Sequence, residues 1–552
     1  MEFPMNVTSG WIGREETITD VRPCRQSASA AGASIVRRLG CIESYQLALQ
    51  TLNQMRGIIL AYRYKIPTQL ASRTAGHELV STFERAVARV VLKHPHLHVG
   101  LVGEDTDKPC WVRLERLDLR NHIKWRTVGG GTSDLQKAFV DTSYQQLDAK
   151  FTNYRTTPGW RIEVLRQEGE DAIEVLLVFN HTNMDGRSAR TFHEDLLRSL
   201  HDDDPALDKG SLRDHVLTLP AGSTASLSPP AENLAQFPVD PIALLHYVQH
   251  EVRMPAEAGY PETPTQAHWA PIAESPFKTQ FRTITIPNTM LAELLEACRN
   301  NQTTLTGLLH ALVFVSLTPL LGPSEATAFE CMTAMDLRSL LPVHYPSYPG
   351  FRPARAVSNY VTIANHTFDE DVVAQLRSNT FEAPDSFPFG IPTDLVWTAA
   401  REVRRDLEAK LNRGVKNDVN GFAQAVDDWR AQLSKEALRP RRCSWVISNL
   451  GLVDGSPGPV SSRADDSGTK PEASAWSATR AQFIMCANVV ASAINVSTVS
   501  IKGGDLVVTC SWQDCVIDAD LGEAFVASLE RWLVFTSRSQ DGWSAPWVNS
   551  AL

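Results

Sequence analysis

The sequence predicts an α/β fold built from two similar halves, and three observations support this. The chain has 552 residues, too many for a single ordinary core and suited to two domains of roughly 200 residues each. Both halves contain strand-like and helix-like segments, judged by the spacing of their apolar residues. Residues 206–275 are rich in Pro, Ala, Ser and Asp, which is typical of a linker between lobes.

These patterns divide the chain into four parts. Residues 1–34 show no clear period and are expected to be poorly ordered. Residues 35–205 are predicted to form an N-terminal lobe, residues 206–275 a crossover linker, and residues 276–552 a C-terminal lobe. Within the last part, residues 456–477 are polar and rich in Pro and Ser, which predicts a mobile surface loop.

The first half is predicted to contain two helices followed by strands. Residues 42–62 and 77–93 have apolar side chains at intervals of three and four, and His94-Pro95 ends the second helix. Apolar or alternating segments that predict strands follow at residues 97–102, 161–165 and 173–179.

The second half repeats this mixture after one helical segment, residues 242–252, in the linker. Its elements are a strand at 279–286, helices at 289–299 and 305–317, a hairpin of strands at 489–499 and 506–512, and a terminal helix at 521–535.

Composition weighs against several classes of partner and location. The net charge of −10 comes without a basic stripe, so nucleic acid is not an expected partner. The N-terminus has no apolar signal region, and no run of about 18 apolar residues predicts a membrane span. The nine cysteines form no CxxC pair, which favours buried thiols in the cytosol.

Histidine-rich stretches are interpreted as structural, and no metal site is predicted. His193-Glu194-Asp195 is expected to lie on a solvated helical face. His94, His96 and His98 alternate before and along a strand, which a polar face explains better than zinc.

The segment with the most chemical information is IEVLLVFNHTNMDG, residues 173–186. Here an apolar strand runs directly into His181, with Asp185 and Gly186 at fixed offsets. A strand buried on both sides delivers its last residue to a rigid, water-poor position. A neutral imidazole there can remove a proton from a hydroxyl and return it to a leaving group. Asp185 suits an orienting or ion-paired role, and Gly186 is expected to permit the turn.

The motif alone fits a structural histidine equally well, but other segments add context. These segments are RLGCIESY at 38–45, KHPHL at 93–97, PGWR at 158–161, DLR at 336–338 and SNLG at 448–451. With NHTNMDG at 180–186 they resemble the HxxxD acyltransferase superfamily, which includes chloramphenicol acetyltransferase and condensation domains, and in particular its fungal alcohol O-acetyltransferase family.

This resemblance implies two chloramphenicol-acetyltransferase-like lobes, each a mixed sheet flanked by helices, with a channel between them. It implies that acyl-CoA, most simply acetyl-CoA, is the co-substrate, that His181 is the general base, and that Asp185 pairs with a distant arginine, for which Arg338 is our choice. Ser448 and Asn449 are candidates for stabilising the oxyanion. No bound cofactor or metal is expected.

Two departures from the superfamily and three alternatives remain. The DFGWG motif of the plant branch is absent, and Asn180 replaces the first of the two histidines of condensation domains. The main hypothesis is a monomeric O-acyltransferase acting on a small-molecule alcohol, typically of secondary metabolism. The alternatives are an enzyme of the same fold that takes its acyl group from a carrier protein, a non-catalytic interaction protein, and a serine hydrolase. The hydrolase is disfavoured because no G-x-S-x-G elbow occurs.

Overall fold

The computed structural model describes residues 34–201, 211–220, 227–252, 262–382, 391–456 and 475–538. All but the last residue of the predicted N-terminal segment 1–34 therefore lies outside the described residues. Within them the fold is α/β, with mixed sheets flanked by helices.

The strands of the described residues are β1 Ile35–Arg38, β2 Ile58–Lys65, β3 Val99–Val102, β4 Cys110–Arg113, β5 Arg116–Asp118, β6 Ile123–Val128, β7 Trp160–Gln167, β8 Ala172–Phe179, β9 Leu212–Arg213, β10 Val216–Thr218, β11 Thr279–Ile286, β12 Phe329–Asp336, β13 Val361–Phe368, β14 Cys443–Val453, β15 Ser477–Met485, β16 Ser492–Ile501 and β17 Leu506–Gln513.

The α-helices of the same residues are α1 Cys41–Thr51, α2 Thr68–Ala71, α3 Gly76–Lys93, α4 Thr132–Asp148, α5 Gly186–His201, α6 Pro241–Tyr247, α7 Asn288–Asn300, α8 Leu305–Leu317, α9 Glu370–Glu382, α10 Thr393–Arg413, α11 Val419–Ala423, α12 Trp429–Glu436 and α13 Ala519–Arg538. A π-helical segment, Val248–Val252, continues α6.

The N-terminal lobe is organised around a sheet whose described strands have the order β15-β2-β8-β7-β6. Its central strand β8 is buried along its whole length, because β2 and β7 flank it and helices cover its faces. Helix α3 packs its apolar side, including Phe83 and Val87, into this core. The core thereby fixes the end of β8, which leads into the predicted catalytic segment.

The C-terminal lobe contains a second mixed sheet with the order β11-β17-β16-β14-β12-β13 among the described strands. Strands β12, β14 and β16 run parallel to one another, and the remaining pairs are antiparallel. Helix α8 is buried on nearly all sides beneath this sheet, as its continuous apolar sequence predicts.

Strand β15 crosses between the lobes. It follows the C-terminal sheet strand β14 in sequence, yet it pairs antiparallel with β2 of the N-terminal sheet, from Ser477 opposite Lys65 to Met485 opposite Ile58. A boundary at residue 276 therefore does not separate the two sheets. The lobes share this strand.

One predicted helix was wrong. The sequence predicts a single helix over residues 42–62, but α1 ends at Thr51 and β2 begins at Ile58. Asn53 has a φ of +63°, the left-handed conformation that often follows a helix C-terminus. The chain turns there, and the later apolar residues belong to a strand.

The predicted loop 456–477 lies mostly outside the described residues, but its end does not. Trp476 is buried in the core of the N-terminal lobe, and its carbonyl oxygen accepts a hydrogen bond from His201 Nε2 at 2.8 Å. Ser477 begins β15. Trp476 is therefore a core residue of the sheet.

Among the described helices, no single one is long and apolar enough to cross a membrane. Helices α7 and α8, taken with the short turn up to Leu320, reach the required length and composition only as a pair bent by 95°.

Candidate active site

His181 lies where the two lobes meet. The buried strand β8 ends at Phe179, and Asn180 and His181 follow it directly. The imidazole lines a channel of about 1170 Å³, whose walls come from α1, α5, α6, α11, α12 and the strands β12 to β14. The rigid strand thus positions His181 on the wall of this channel.

Asp185 does not contact the imidazole but forms an ion pair with Arg338. Arg338 Nη1 donates to Asp185 Oδ2 at 2.8 Å, and Nη2 donates to Oδ1 at 3.2 Å. The backbone amides of Ser188 and Tyr360 donate to the same carboxylate at 2.7 and 2.8 Å. Burial opposes ionisation of Asp185, but Arg338 and these amides keep the pKa of the carboxyl below its ordinary value.

Arg338 joins segments from both lobes. Its guanidinium is almost fully buried, and the positive charge is stabilised because Asp185 and Asp336 raise its pKa against the effect of burial. Its Nε also donates to the carbonyl oxygen of Pro353, and its Nη1 donates to Asp336 Oδ1 at 2.9 Å. Its Nη2 also contacts the Ser188 hydroxyl and the carbonyl oxygens of Ala356 and Ser358. Asp185 and Ser188 come from the N-terminal lobe, so this cluster clamps the lobes together beside His181.

Sequence reasoning missed Asn359. Its side-chain amide donates to the carbonyl oxygen of His181 at 2.7 Å and lies 3.2 Å from His181 Nδ1. Asn359 is separated from His181 by 178 residues, so no spacing in the sequence could have indicated the contact. It constrains both the backbone and the ring of His181 and leaves Nε2 without a partner among the described residues.

The environment favours the neutral form of His181. Burial lowers the pKa of the imidazole below its ordinary value, although the charge of Asp185 and the carbonyl oxygens of His181 and Met184 act in the opposite direction. A neutral imidazole facing a cavity can accept a proton from a bound hydroxyl group.

The sequence predicted that Gly186 permits a turn, and this reason was wrong. Gly186 begins α5 without a positive φ, so no unusual turn requires it. Instead, a Cβ atom there would lie 2.7 Å from the side chain of Leu450, which also lines the channel. Glycine therefore allows the start of α5 and the SNLG segment to approach each other closely.

Ser448 and Asn449 line the channel but differ in availability. Asn449 Nδ2 donates to Thr306 Oγ1 at 3.1 Å, while its Oδ1 accepts from the amide of Gly451, whose φ is +71°. Asn449 therefore shapes the turn. Ser448 lies beside Ala334 of β12 and faces the cavity, so it is the better placed of the two for an oxyanion.

Most of the polar residues interpreted as solvated faces are buried: His94, His96, His193 and Asp195 are buried, and His98 and Glu194 are half-buried. His193 bonds to the hydroxyl of Tyr64 at 2.8 Å and the carbonyl of Leu60 at 2.9 Å, and Asp195 binds His94 at 2.7 Å. These pairs join α5 to β2 and to the end of α3. Among the described residues, no group of three or more His, Cys, Asp or Glu could hold a metal ion.

Comparison with known sequences supports the resemblance seen in the motifs. Residues 139–371, a stretch that includes His181, Arg338 and Asn359, match the family model described as alcohol acetyltransferase. The chain is 24% identical over 518 residues to the probable alcohol acetyltransferase FCK4 of Fusarium pseudograminearum, covering 91% of this chain and 95% of that protein. It is also 24% identical over 492 residues to the probable alcohol acetyltransferase crmB of Aspergillus fumigatus, covering 87% and 95%.

Solved structures show the same fold. TRI3 trichothecene 15-O-acetyltransferase from Fusarium sporotrichioides superposes with a TM-score of 0.64 at 13% identity, covering 93% of this chain and 97% of that one. The first condensation domain of the CDA synthetase gives 0.56 at 11% identity, covering 91% and 96%. The predicted fold class, two chloramphenicol-acetyltransferase-like lobes, is confirmed, and so is the predicted family resemblance.

Proposed function

We propose that this chain, whose residues 139–371 match the alcohol acetyltransferase family model, transfers an acyl group, most simply acetyl, from acyl-CoA to a hydroxyl of a small-molecule acceptor of secondary metabolism. The observation that carries this proposal is the position of His181. Its ring lies on the wall of a large channel between the lobes, and its Nε2 is not used by another described residue.

In this mechanism His181 Nε2 removes the proton of the acceptor hydroxyl. The resulting alkoxide oxygen attacks the thioester carbonyl, the tetrahedral adduct collapses with cleavage of the C–S bond, and the imidazolium returns the proton to the departing thiolate. The products are an ester and a free thiol, and no acyl-enzyme forms. The Ser448 hydroxyl is our candidate donor to the oxyanion, and the Asp185–Arg338 pair holds the geometry.

The part of the channel that is lined by aromatic side chains suits an apolar acceptor. Tyr45 and Trp429 form an edge-to-face pair with centroids 4.9 Å apart, and Tyr247 and Phe422 lie 5.0 Å apart. All four line the cavity. Aromatic walls favour acceptors with large apolar surfaces, and the volume falls above the usual range for drug-sized ligands, which leaves room for both substrates.

The direct test of the proposed function follows the release of thiol. The purified protein is incubated with a series of acyl-CoAs and a thiol-detecting reagent, and candidate alcohols such as sugars, terpenoids and polyketides are then added. Thiol release that depends on the alcohol, together with an ester of the expected mass, would establish the reaction. No ester and no thiol release with any donor, also with acyl groups bound to carrier proteins, would contradict it.

The activity should persist at more acidic pH than an ordinary histidine allows. Only neutral His181 is a base, and its pKa is lowered by burial, so kcat/KM should fall only as the pH drops through a midpoint below about 6.5. The pH dependence of kcat/KM, measured at saturating second substrate, checks this. A midpoint at or above that of free imidazole would contradict the buried environment.

Replacing Asn359 by leucine should lower kcat and raise that acidic midpoint. For Nε2 to act as the base, Nδ1 carries the ring proton, and it then faces the amide N–H of Asn359 at 3.2 Å without accepting a hydrogen bond from it. A second donor so close to the ring disfavours the imidazolium, so its loss stabilises the protonated form, and the ring and backbone of His181 also lose the contact that positions them. We expect kcat to fall about tenfold or more, since a positioned general base supplies a factor of 10²–10⁴. Asn379→Leu, on α9 and outside the channel, is the control. An unshifted midpoint would mean that Asn359 acts only on folding.

We also propose a cytosolic location. The eight cysteines of the described residues are free thiols, and most of them are buried, which supports a reducing compartment.

A further inference from the structure

Cations are concentrated where α5 meets the channel. Arg187 and Arg190, in the first turns of α5, line this end together with Asp336. The guanidiniums of Arg187, Arg190 and Arg355 approach the single carboxylate of Glu194 at 3.8, 2.9 and 3.0 Å. Arg355 also pairs with Asp195, so Glu194 is the carboxylate that Arg187 and Arg190 share at this mouth.

Arg187 has the weakest internal compensation of the three. It donates no hydrogen bond within the described part of the chain, and Asp336 nearby is already paired with Arg338 at 2.9 Å. Burial and then the neighbouring Arg190 lower the pKa of Arg187. A cation in the first turn of a helix is also disfavoured by the helix dipole. An anion bound at the mouth would relieve each of these costs.

Arg190 is held in place and can orient such an anion. Its Nε donates to Glu194 at 2.9 Å, and its Nη1 donates to the carbonyl oxygen of Leu450 at 3.1 Å. Leu450 belongs to the turn beside Ser448, so the basic mouth is continuous with the wall that faces His181.

The opposite end of the channel is acidic. Glu330 is the second residue of β12, about 20 Å from the other end of that strand at a rise of roughly 3.3 Å per residue. It lines this end with Glu251 and Glu436, and Arg439 and Arg442 form ion pairs with the latter two carboxylates. Burial raises the pKa of both Glu330 and Glu436. These carboxylates disfavour the binding of a polyphosphate at this end.

We propose that the α5 mouth is the entrance for the thioester donor and that Arg187, with Arg190 beside it, binds a phosphate of its phosphopantetheine arm. The acceptor alcohol then enters from the acidic, aromatic end. This inference rests on the proposed acyl transfer. The guanidinium of Arg187 suits phosphate binding because its planar fork can donate two parallel hydrogen bonds to one phosphate. Acyl-CoA and an acylated carrier protein both carry this phosphate.

The test compares donors with and without phosphate. Steady-state kinetics are measured for the wild type, Arg187→Gln and the control Arg299→Gln, which changes an exposed arginine of α7 outside the channel. The donors are acetyl-CoA, S-acetyl-4′-phosphopantetheine and the phosphate-free S-acetyl-N-acetylcysteamine. Arg187→Gln should raise KM for the two phosphorylated donors about tenfold or more, with kcat little changed and a much smaller effect on the phosphate-free thioester. Arg299→Gln should behave as the wild type does.

Each outcome of this experiment supports or overturns the phosphate site. Equal losses with all three donors would overturn the phosphate site, because Arg187 would then act on folding or on the reaction itself. A loss with acetyl-CoA alone would also overturn it in favour of a contact with the nucleotide. An acetylated carrier protein is assayed as a fourth donor: a KM raised by Arg187→Gln for this donor and for S-acetyl-4′-phosphopantetheine supports the site, and turnover with it but not with acetyl-CoA identifies the carrier as the source. Calorimetric binding of CoA and of pantetheine to both proteins is independent of turnover: if transfer fails entirely, weaker binding of CoA but not of pantetheine by Arg187→Gln still supports the site, and equal binding overturns it.

Discussion

Replacing His181 by alanine is expected to lower kcat at least about a hundredfold while the protein stays folded. The imidazole lines the channel, its Nε2 bonds to no side chain of the described residues, and a general base supplies a factor of 10²–10⁴. KM should change less, because the ring contributes to moving a proton more than to holding the substrates. Thiol-release kinetics with acetyl-CoA measure the effect.

The control for this prediction is His344→Ala, a histidine in an exposed turn after β12 that does not line the channel. It should retain near-normal turnover. Circular dichroism and the thermal midpoint show whether each variant is folded. A folded His181→Ala protein with turnover close to that of the wild type would exclude His181 as the base.

Breaking the Asp185–Arg338 pair is expected to cost about 3–5 kcal/mol of unfolding free energy for each single variant, Asp185→Asn or Arg338→Met. Both side chains are nearly completely buried, so each variant leaves an uncompensated charge or unpaired donors. The double variant should lose less than the sum of the two, because both changes remove one shared interaction. Urea denaturation of the four proteins gives the coupling energy.

A surface pair provides the comparison. Arg120 and Asp118 lie 2.8 Å apart but are 55% and 29% exposed, so Asp118→Asn and Arg120→Met should each change stability far less than the changes at the buried pair do. Additive losses for Asp185 and Arg338 would show that the two residues act separately, and the clamp between the lobes would have to be abandoned.

Sequence patterns predicted several elements to the residue, including the continuously apolar helix α8, and failed at β2, where burial on both faces removed the alternation typical of a strand. Helix α8 and strand β11 have the predicted ends. Strand β2 is apolar on both faces because β8 and β15 flank it and the core surrounds it, so its sequence lacks the alternation of a half-buried strand. Asn53 and Gly57 marked the break that the helical spacing concealed.

The site was partly predictable for the same physical reason. His181 could be found because the strand that carries it and the acid four residues later are local in sequence. Arg338 followed only from a family resemblance. Asn359 and the Leu450 contact of Gly186 depend on segments brought together by the fold across more than 150 residues, and such tertiary proximity leaves no local pattern.

The strand that the lobes share also limits how the molecule can be divided or opened. A polypeptide cut at residue 276 would leave the first fragment without β15, so the apolar strand β2 would have an open edge, the kind of surface that promotes aggregation. Coexpressed halves should therefore be soluble only when β15 of the second half pairs with β2 of the first half before the open edge aggregates. In the intact chain, the short connection from Met485 to Ser492 opposes a hinge motion that separates the lobes. We therefore expect substrates to enter through the ends of the channel.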